Sequence, residues 1–332
     1  MINCDSFKII EGTLFNTDVL DLYNYWESPM CIISDGPYGI DGFEGDDETP
    51  LTLAETYRPH IEAWTKKANS QTTLWFWCTE IGWANVHPIL EANGWLYRGC
   101  NIWDKGIKHI AGNCNGKTMR KFPVVTEVCV HYVRKEEFIL NTGERLSLQD
   151  WMRSEWKRTG LPFSKANTAC NVKNAASRKY LAKDHLWYFP PTEEFTKLVD
   201  YANQHGLPEG KPYFSLNGKD ILSANQWNRI RAKFYFQYGV TNVWSCPSLR
   251  HSERLKNEKG IIHPNQKPLE LMEKIIVVST DQNDLIWEPF AGMASASVSA
   301  KLLNRRFLAC EIKENYFQQA KNRLNSNLKG VK

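Results

Sequence analysis

No Cys-x-x-Cys pair occurs in the sequence, and its nine cysteines, at positions 4, 31, 78, 100, 114, 129, 170, 246 and 310, keep no regular spacing to histidine. That pattern argues against a zinc site and for reduced thiols, so no metal is expected. No stretch approaches the roughly 20 apolar residues a membrane-spanning helix needs. Met1 to Glu11 carries Asp5 and Glu11 without a basic start or a long apolar run, so no secretory signal is expected, and the cytoplasm is the expected location. Internal repeats and low-complexity tracts are missing as well. The formal net charge of +4 is too small to demand a nucleic-acid partner. What is present, 42% hydrophobic and 23% charged residues over 332 positions, is the composition of a globular chain long enough for one large domain and an inserted module.

The order of patterns is α/β in character. Met30 to Ser34 is a short apolar run stopped by Asp-Gly-Pro, and Thr73 to Cys78 is a second, followed by a helical stretch from Ile81 to Asn93 that ends at Gly94. Tyr97 to Trp103 and Val124 to Val133 read as further strands. From Glu136 the pattern turns to short helices, over Leu146 to Thr159, Lys165 to Cys170, Ala175 to Ala182 and Phe195 to Asn203. The α/β alternation returns with a helix over Pro268 to Ser279, a strand over Asp284 to Trp287, a small-residue helix over Ala294 to Leu303, a strand over Arg306 to Cys310 and a helix over Asn315 to Leu324. The expected division is therefore 1–136, an insertion at 137–245, and 246–332. Charge is uneven along the chain: Ser147 to Pro190 holds eight Lys or Arg against three acids, net +5. A solvated face or a nucleic-acid contact would both produce that bias.

Two strand-to-loop junctions could carry chemistry. In Glu288-Pro-Phe-Ala-Gly-Met-Ala-Ser-Ala296 the small residues allow a ligand close to the backbone and to the start of a helix. Glu311 follows at the end of the next strand, where an acid accepts hydrogen bonds from two ribose hydroxyls. In Ser34-Asp-Gly-Pro-Tyr-Gly39, Asp35 supplies a carboxylate, the Gly36 carbonyl a second acceptor, Pro37 a stiff turn and Tyr38 a ring for stacking. Two acceptors beside an aromatic face suit a planar amine, although a plain Asp-Gly-Pro turn has the same letters.

In this order the segments resemble the β group of amino-methylating DNA methyltransferases. Asp35-Gly-Pro-Tyr38 is similar to that family's Asp-Pro-Pro-Tyr motif, Glu288-Pro-Phe-Ala-Gly292 to its Asp-Pro-Phe-x-Gly-x-Gly motif, and His263-Pro-Asn-Gln-Lys-Pro268 to its His-Pro-x-Gln-Lys-Pro segment. Ile2-Asn-Cys-Asp-Ser6 resembles the amino-terminal Gly-Asp segment, Ile102-Trp-Asp-Lys105 the Trp-x-Lys strand, and Thr126-Glu-Val-Cys129 the strand after it. The likeness covers about residues 1 to 135 and 245 to 325 and leaves the middle unmatched. It implies a Rossmann-like methyltransferase fold with a mostly parallel central sheet and an inserted, largely helical target-recognition domain.

The resemblance also implies S-adenosylmethionine as cofactor and double-stranded DNA as partner. Asp35, Gly36, Pro37 and Tyr38 would be the catalytic set. Asp5, Ser34, His263, Gln266, Lys267, Pro268, Glu288, Pro289, Phe290, Ala291, Gly292, Ser295 and Glu311 would form the cofactor pocket. In the insertion, Lys165, Asn167, Asn171, Asn174, Arg178 and Lys179 are the candidates for contact with DNA, whereas Trp187-Tyr-Phe189 and Trp75-Phe-Trp77 read as core. Three departures from the family pattern stand out: Gly36 for the first Pro, Glu288 for Asp, and Ala294 for the second Gly. Asp at the head of the catalytic motif favours adenine-N6 as the methylated atom, with cytosine-N4 as the alternative. A catalytically impaired DNA-binding protein is the reading of another class. A cognate restriction endonuclease, and a homodimer rather than a monomer, stay open.

Overall fold

The computed structural model describes residues 4–40, 46, 49–110, 115, 117–140, 143–249, 256–257, 260–261 and 266–326. It divides the chain into two compact units, Met1–Arg134 with Ala232–Lys332, and Lys135–Arg231. The insertion therefore ends at Arg231, not at 245 as expected. The reason is a strand at Val243–Ser245 that the sequence hides, which pairs within the central sheet.

The larger unit begins with β1 (Asp5–Lys8) and β2 (Gly12–Asn16), an antiparallel pair. β3 (Cys31–Ser34) follows, then helix α1 (Leu53–Lys67), β4 (Thr73–Cys78), helix α2 (Glu80–Ala92), β5 (Trp95–Asp104) and β6 (Thr126–Arg134). Every residue of β3 and β4 is buried, as expected of strands covered on both faces. α1 buries Leu53, Tyr57, His60, Ile61 and Trp64, a single face at helical spacing. α2 starts where the Thr79 hydroxyl accepts the Gly82 amide.

The smaller unit carries the hairpin β7 (Glu137–Ile139) and β8 (Arg145–Ser147), then helices α3 (Leu148–Arg158), α4 (Lys165–Ala169), α5 (Ala175–Tyr180), α6 (Thr192–His205) and α7 (Ala224–Asn228). Its own core is aromatic: Trp227 stacks between Phe195 at 4.0 Å and Phe189 at 4.5 Å. Glu155 is buried there and accepts the Phe214 amide at 2.6 Å.

The chain then re-enters the sheet with β9 (Val243–Ser245). The short pair β10 (Lys256–Asn257) and β11 (Gly260–Ile261) follows, then α8 (Leu269–Ser279), β12 (Leu285–Glu288), α9 (Ser295–Leu302), β13 (Arg306–Cys310) and α10 (Glu314–Asn325). The nine-stranded sheet has the order β1-β2-β13-β12-β3-β4-β6-β5-β9. From β2 to β4 all neighbours are parallel, and only β1 and β6 run against them. The fold is thus Rossmann-like, as expected.

From β3 the chain winds one way through α1 to β4, and from β12 it winds the other way through α9 to β13. The strand order therefore reverses between β12 and β3. In open α/β sheets the crevice outside the carboxyl ends at such a reversal is where ligands bind. Among the described residues, no helix is long and apolar enough to cross a membrane.

Candidate active site

A cavity of about 330 Å³ opens at this reversal. Its walls are the loops after β2 (Thr17, Asp18, Val19), after β3 (Asp35 to Tyr38), after β12 (Pro289 to Gly292) and after β13 (Glu311 to Lys313). Thr56 and His60, one turn apart on α1, close one side, and Tyr316 and Asp46 line it too. Among the described residues, four acids, Asp18, Asp35, Asp46 and Glu311, face the space beside one Lys or Arg, Lys313. The cavity is therefore negative. It matches a ligand that carries positive charge.

At the β13 end, Glu311 is nearly buried and burial pushes its carboxyl above the usual range. Its two oxygens accept the Gly292 amide at 2.7 Å and the Lys313 amide at 2.8 Å. Each carboxylate oxygen retains a further lone pair. The Gly292 amide fixes the carboxylate against the loop after β12, so the two walls hold each other. Gly292 has φ +51, and Ala294, at the start of α9, has φ +54, a left-handed conformation that favours glycine.

Glu288 behaves differently from the pocket residue expected. Its side chain turns away from the cavity and caps α9, accepting the Ala296 amide at 2.9 Å, the Ser297 amide at 2.8 Å and the Ser297 hydroxyl. The extra methylene relative to Asp is what spans this distance. Full burial pushes its carboxyl up to about 7. Glu288 shapes the loop without lining it.

At the β3 end, Asp46 organises the turn from Asp35 to Ile40. Its carboxylate accepts three backbone amides, from Tyr38 at 2.9 Å, Gly39 at 2.7 Å and Ile40 at 3.1 Å. The glycine at 36 has a steric reason: a Cβ there would lie 2.6 Å from both the Phe290 ring and the Tyr57 hydroxyl. The family's proline has no room at this position.

Behind Asp35 lies an ionic cluster drawn from four parts of the chain. Lys267 Nζ stands 2.8 Å from Asp35 Oδ1 and 3.2 Å from Glu127 Oε2, and Lys105 Nζ stands 2.5 Å from Glu127 Oε1. The Tyr38 hydroxyl is 2.8 Å from Asp35 and 3.1 Å from Glu127, so its one proton is shared between two carboxylates. Lys267 is 1% exposed and faces the rings of Tyr38 at 5.0 Å, Trp77 at 5.4 Å and Trp103 at 5.9 Å. Two acids and two cations balance, which is what makes their burial tolerable. Burial raises the Asp35 carboxyl above its ordinary value despite Lys267. Burial also acts on Glu127, but Lys267 and Lys105 more than offset it and hold that carboxyl low.

His60 is neutral at ordinary pH, because burial pushes it down to about 4. Its Nδ1 lies 2.9 Å from the Tyr23 hydroxyl, which accepts the Trp64 indole N–H at 2.9 Å. Trp64 donates only, so the assignment that satisfies all three groups sends the Tyr23 proton to Nδ1 and leaves the His60 proton on Nε2.

Against the sequence-derived set, Asp35, Gly36, Pro37, Tyr38, Pro289, Phe290, Ala291, Gly292 and Glu311 line the cavity. Asp5 does not: it is exposed on the edge strand β1, and Asp18, after β2, takes its place. Ser34 is fully buried at the end of β3. Gln266 and Pro268 lie at the foot of α8, and Lys267 serves Asp35 rather than the cavity wall. The Ser295 hydroxyl donates to the Lys267 carbonyl at 2.9 Å and so ties that segment to α9. His263 lies outside the described residues.

In the smaller unit Lys165, Asn171, Asn174, Arg178 and Lys179 are exposed. Asn167 is buried, and its amide holds Ser177 through bonds of 3.0 Å to the backbone and 2.9 Å to the hydroxyl, so it pins α4 to α5. That role removes it from the DNA candidates. Asn171 ends α4 with φ +53.

A sheet wound both ways around an acid-lined cavity, with a buried ionic cluster beside it, defines the class: an α/β protein of methyltransferase architecture. Two solved structures share the fold over nearly the whole chain. The M1.HpyAVI–SAM complex has TM-score 0.50 and 17% identity, covering 94% of this chain and 98% of its own. PvuII DNA methyltransferase (cytosine-N4-specific) has TM-score 0.50 and 10% identity, covering 96% and 88%. Among curated proteins, the type II methyltransferase M.BglII of Bacillus subtilis is 37% identical over 142 residues, 42% of this chain and 36% of its own length. M2.LlaDCHI of Lactococcus lactis subsp. cremoris is 32% identical over 123 residues, 34% and 44%. The chain thus spans less than half the length of the curated relatives it matches. A family described as DNA methylase, the N6/N4 methylases, matches residues 30–322, and the chain belongs to it.

Proposed function

We propose that the chain is an S-adenosylmethionine-dependent DNA methyltransferase of type II that acts on the N6 amino group of an adenine turned out of the duplex. The observation that carries this reading is the meeting, in one negative cavity, of the Asp35–Gly36 acceptor pair and the Glu311 carboxylate.

The residues fit the cofactor. Glu311 would accept the ribose hydroxyls, Pro289 to Gly292 would lie beside the nucleoside, and the acid lining suits an ammonium and a sulfonium. When bound, the cofactor supplies a methyl group made electrophilic by the positive sulfur. The chain does the rest by positioning. A base inside a duplex cannot reach Asp35, so it must leave the stack, at a cost of a few kcal/mol. Asp35 accepts one amino hydrogen and the Gly36 carbonyl the other, which aims the nitrogen lone pair into the cavity. Lys267 favours the ionised form of Asp35, which accepts better than a neutral carboxyl. Asp46 holds the turn that carries both acceptors.

Asp35 heads the motif, and the preceding Ser34 is buried behind it, away from the cavity wall, which favours adenine over cytosine. The exposed cations of the smaller unit are the surface we assign to phosphate contact, with Asn171, Asn174 and Arg178 as base readers. A cognate endonuclease would follow from the type II relationship.

The test is modification calling by long-read sequencing of DNA from a methylation-free host that expresses the chain or its Asp35→Ala variant. Adenine modified in one short motif, only with the wild type, is the expected result. Modified cytosine would transfer the reading to N4. No modification from a folded chain that binds S-adenosylmethionine would refute catalysis.

A further inference from the structure

The loop that joins β5 to β6 has no part in the cavity, yet its composition is unlike that of the sheet around it. Between Asp104 and Glu127 the chain carries Lys105, Lys108, Lys117, Arg120 and Lys121 and no acid. Lys108, Lys117, Arg120 and Lys121 are exposed. So are Ile107, 73% exposed, and Phe122, 93% exposed. An exposed aromatic ring among cations is the combination with which nucleic-acid-binding surfaces join stacking to charge.

The neck of the loop is tied to the catalytic turn. The Lys105 amide donates to the Val125 carbonyl at 2.9 Å, and the Lys105 ammonium meets Glu127, which shares the Tyr38 hydroxyl with Asp35. Lys105 is therefore committed to the cluster. Near the tip, Asn115 builds a turn: its side chain accepts the Lys117 amide at 3.1 Å, and its carbonyl accepts the Thr118 and Met119 amides at 3.1 and 3.0 Å. The turn presents Lys117, Arg120, Lys121 and Phe122 close together in sequence, at the same carboxyl edge of the sheet as Asp35.

We propose that this loop is a second duplex-binding surface, carried by the catalytic unit itself, in which Lys117, Arg120 and Lys121 contact phosphates and Phe122 enters the base stack beside the target nucleotide. The inference rests on the DNA-methyltransferase reading and deepens it. Duplex DNA is the occupant because its charge complements a stretch of chain that has cations and no acid, and because unstacked base pairs offer a stacking contact to an exposed ring. An inserted ring would fill the gap left by a base that has turned out. The positive module of the smaller unit would then fix the sequence, and this loop would open the helix.

The experiment uses the full chain. Binding to a mixed-sequence duplex is measured over a range of salt for the wild type, for Lys117→Ala/Arg120→Ala/Lys121→Ala together, and for Phe122→Ala. Each phosphate contact contributes about 0.9 to the slope of log affinity against log salt. The triple variant should lose about two to three from that slope and bind at least tenfold more weakly at moderate salt. Phe122→Ala should keep the slope, since it removes no charge, but transfer methyl groups to unmodified chromosomal DNA at least tenfold more slowly. Binding of S-adenosylmethionine should match the wild type in both variants, which separates contact with DNA from damage to the fold. A triple variant with the wild-type slope would overturn the phosphate contacts, and full activity in Phe122→Ala would overturn the insertion. A wild-type chain that takes up S-adenosylmethionine but binds no duplex would remove the parent reading and this one with it.

Discussion

Replacing Lys267 by methionine removes one charge from the balanced cluster while nearly preserving volume. Lys267 Nζ lies 2.8 Å from Asp35. At an effective dielectric of about 20, a contact at that distance is worth about 6 kcal/mol, or some four pKa units, as an upper limit. Relaxation and the remaining Lys105 reduce it, so the Asp35 pKa should rise by less than that limit. The sign follows from the chemistry. Asp35 already titrates above its ordinary value because it is buried, and without the ammonium its charged form is less favourable still. If ionised Asp35 is what accepts the amine, the acid limb of the rate profile must move to higher pH. The assay is the initial rate of methyl incorporation into unmodified DNA, at saturating cofactor, as a function of pH. Lys267→Arg should keep the limb where it is. Adding Glu127→Gln to Lys267→Met should bring it part of the way back, since the Glu127 charge also raises Asp35. Stability falls too, by about 3–5 kcal/mol, because a buried pair has been broken. A folded Lys267→Met chain whose acid limb coincides with the wild type would refute the reasoning.

Three further outcomes follow. Ala294→Gly should raise unfolding stability by about 0.5–1 kcal/mol, the left-handed penalty at φ +54 less the added flexibility of the unfolded chain; a loss in urea titration would show that the alanine methyl is needed there. Glu288 holds its proton up to about pH 7 in the folded state, so its contribution is complete below the ordinary carboxylate range and falls by about 3 kcal/mol as pH rises to 7 and beyond. The difference in stability between wild type and Glu288→Gln, followed through that window, should trace the loss, and a constant difference would contradict it. Asp46→Ala should strand three backbone amides and lower kcat more than tenfold, with partial recovery in Asp46→Asn; unchanged kcat would remove its positioning role.

Much of the sheet was legible because its central strands are short, apolar and punctuated. Thr73–Cys78 and Arg306–Cys310 have the same limits in the sequence reading and in the structure. α1 was missed, although Leu53, Tyr57, His60, Ile61 and Trp64 keep helical spacing, because Pro59 interrupts a polar stretch. β9 is only three residues long and its end residues are exposed, so its place is set by pairing with β5 and not by its own pattern. In the site, the motifs located the turn after β3 and the loop after β12. Asp5 was expected in the pocket because Ile2 to Ser6 resembles the family's amino-terminal Gly-Asp segment, whereas the acid that lines the cavity, Asp18, follows β2, at a carboxyl end. Two members of the cluster behind Asp35 could not be read as such. Glu127 and Lys105 are brought there by antiparallel pairing of β5 with β6, and no spacing along the chain encodes that meeting.

The pairing of β3 with β12, where Cys31 lies beside Ile286, also governs how the chain must be made. A ribosome delivers β3 and β4 early, and β12 only after the whole helical unit has been synthesised. Until then the Cys31–Ser34 strand, apolar but for Ser34, has an open edge that can pair with any other strand. The cavity is likewise missing a wall until Glu311 emerges. Slow translation between the two halves, or scarcity of chaperones, should therefore cost soluble yield before it costs the activity of molecules that finish folding.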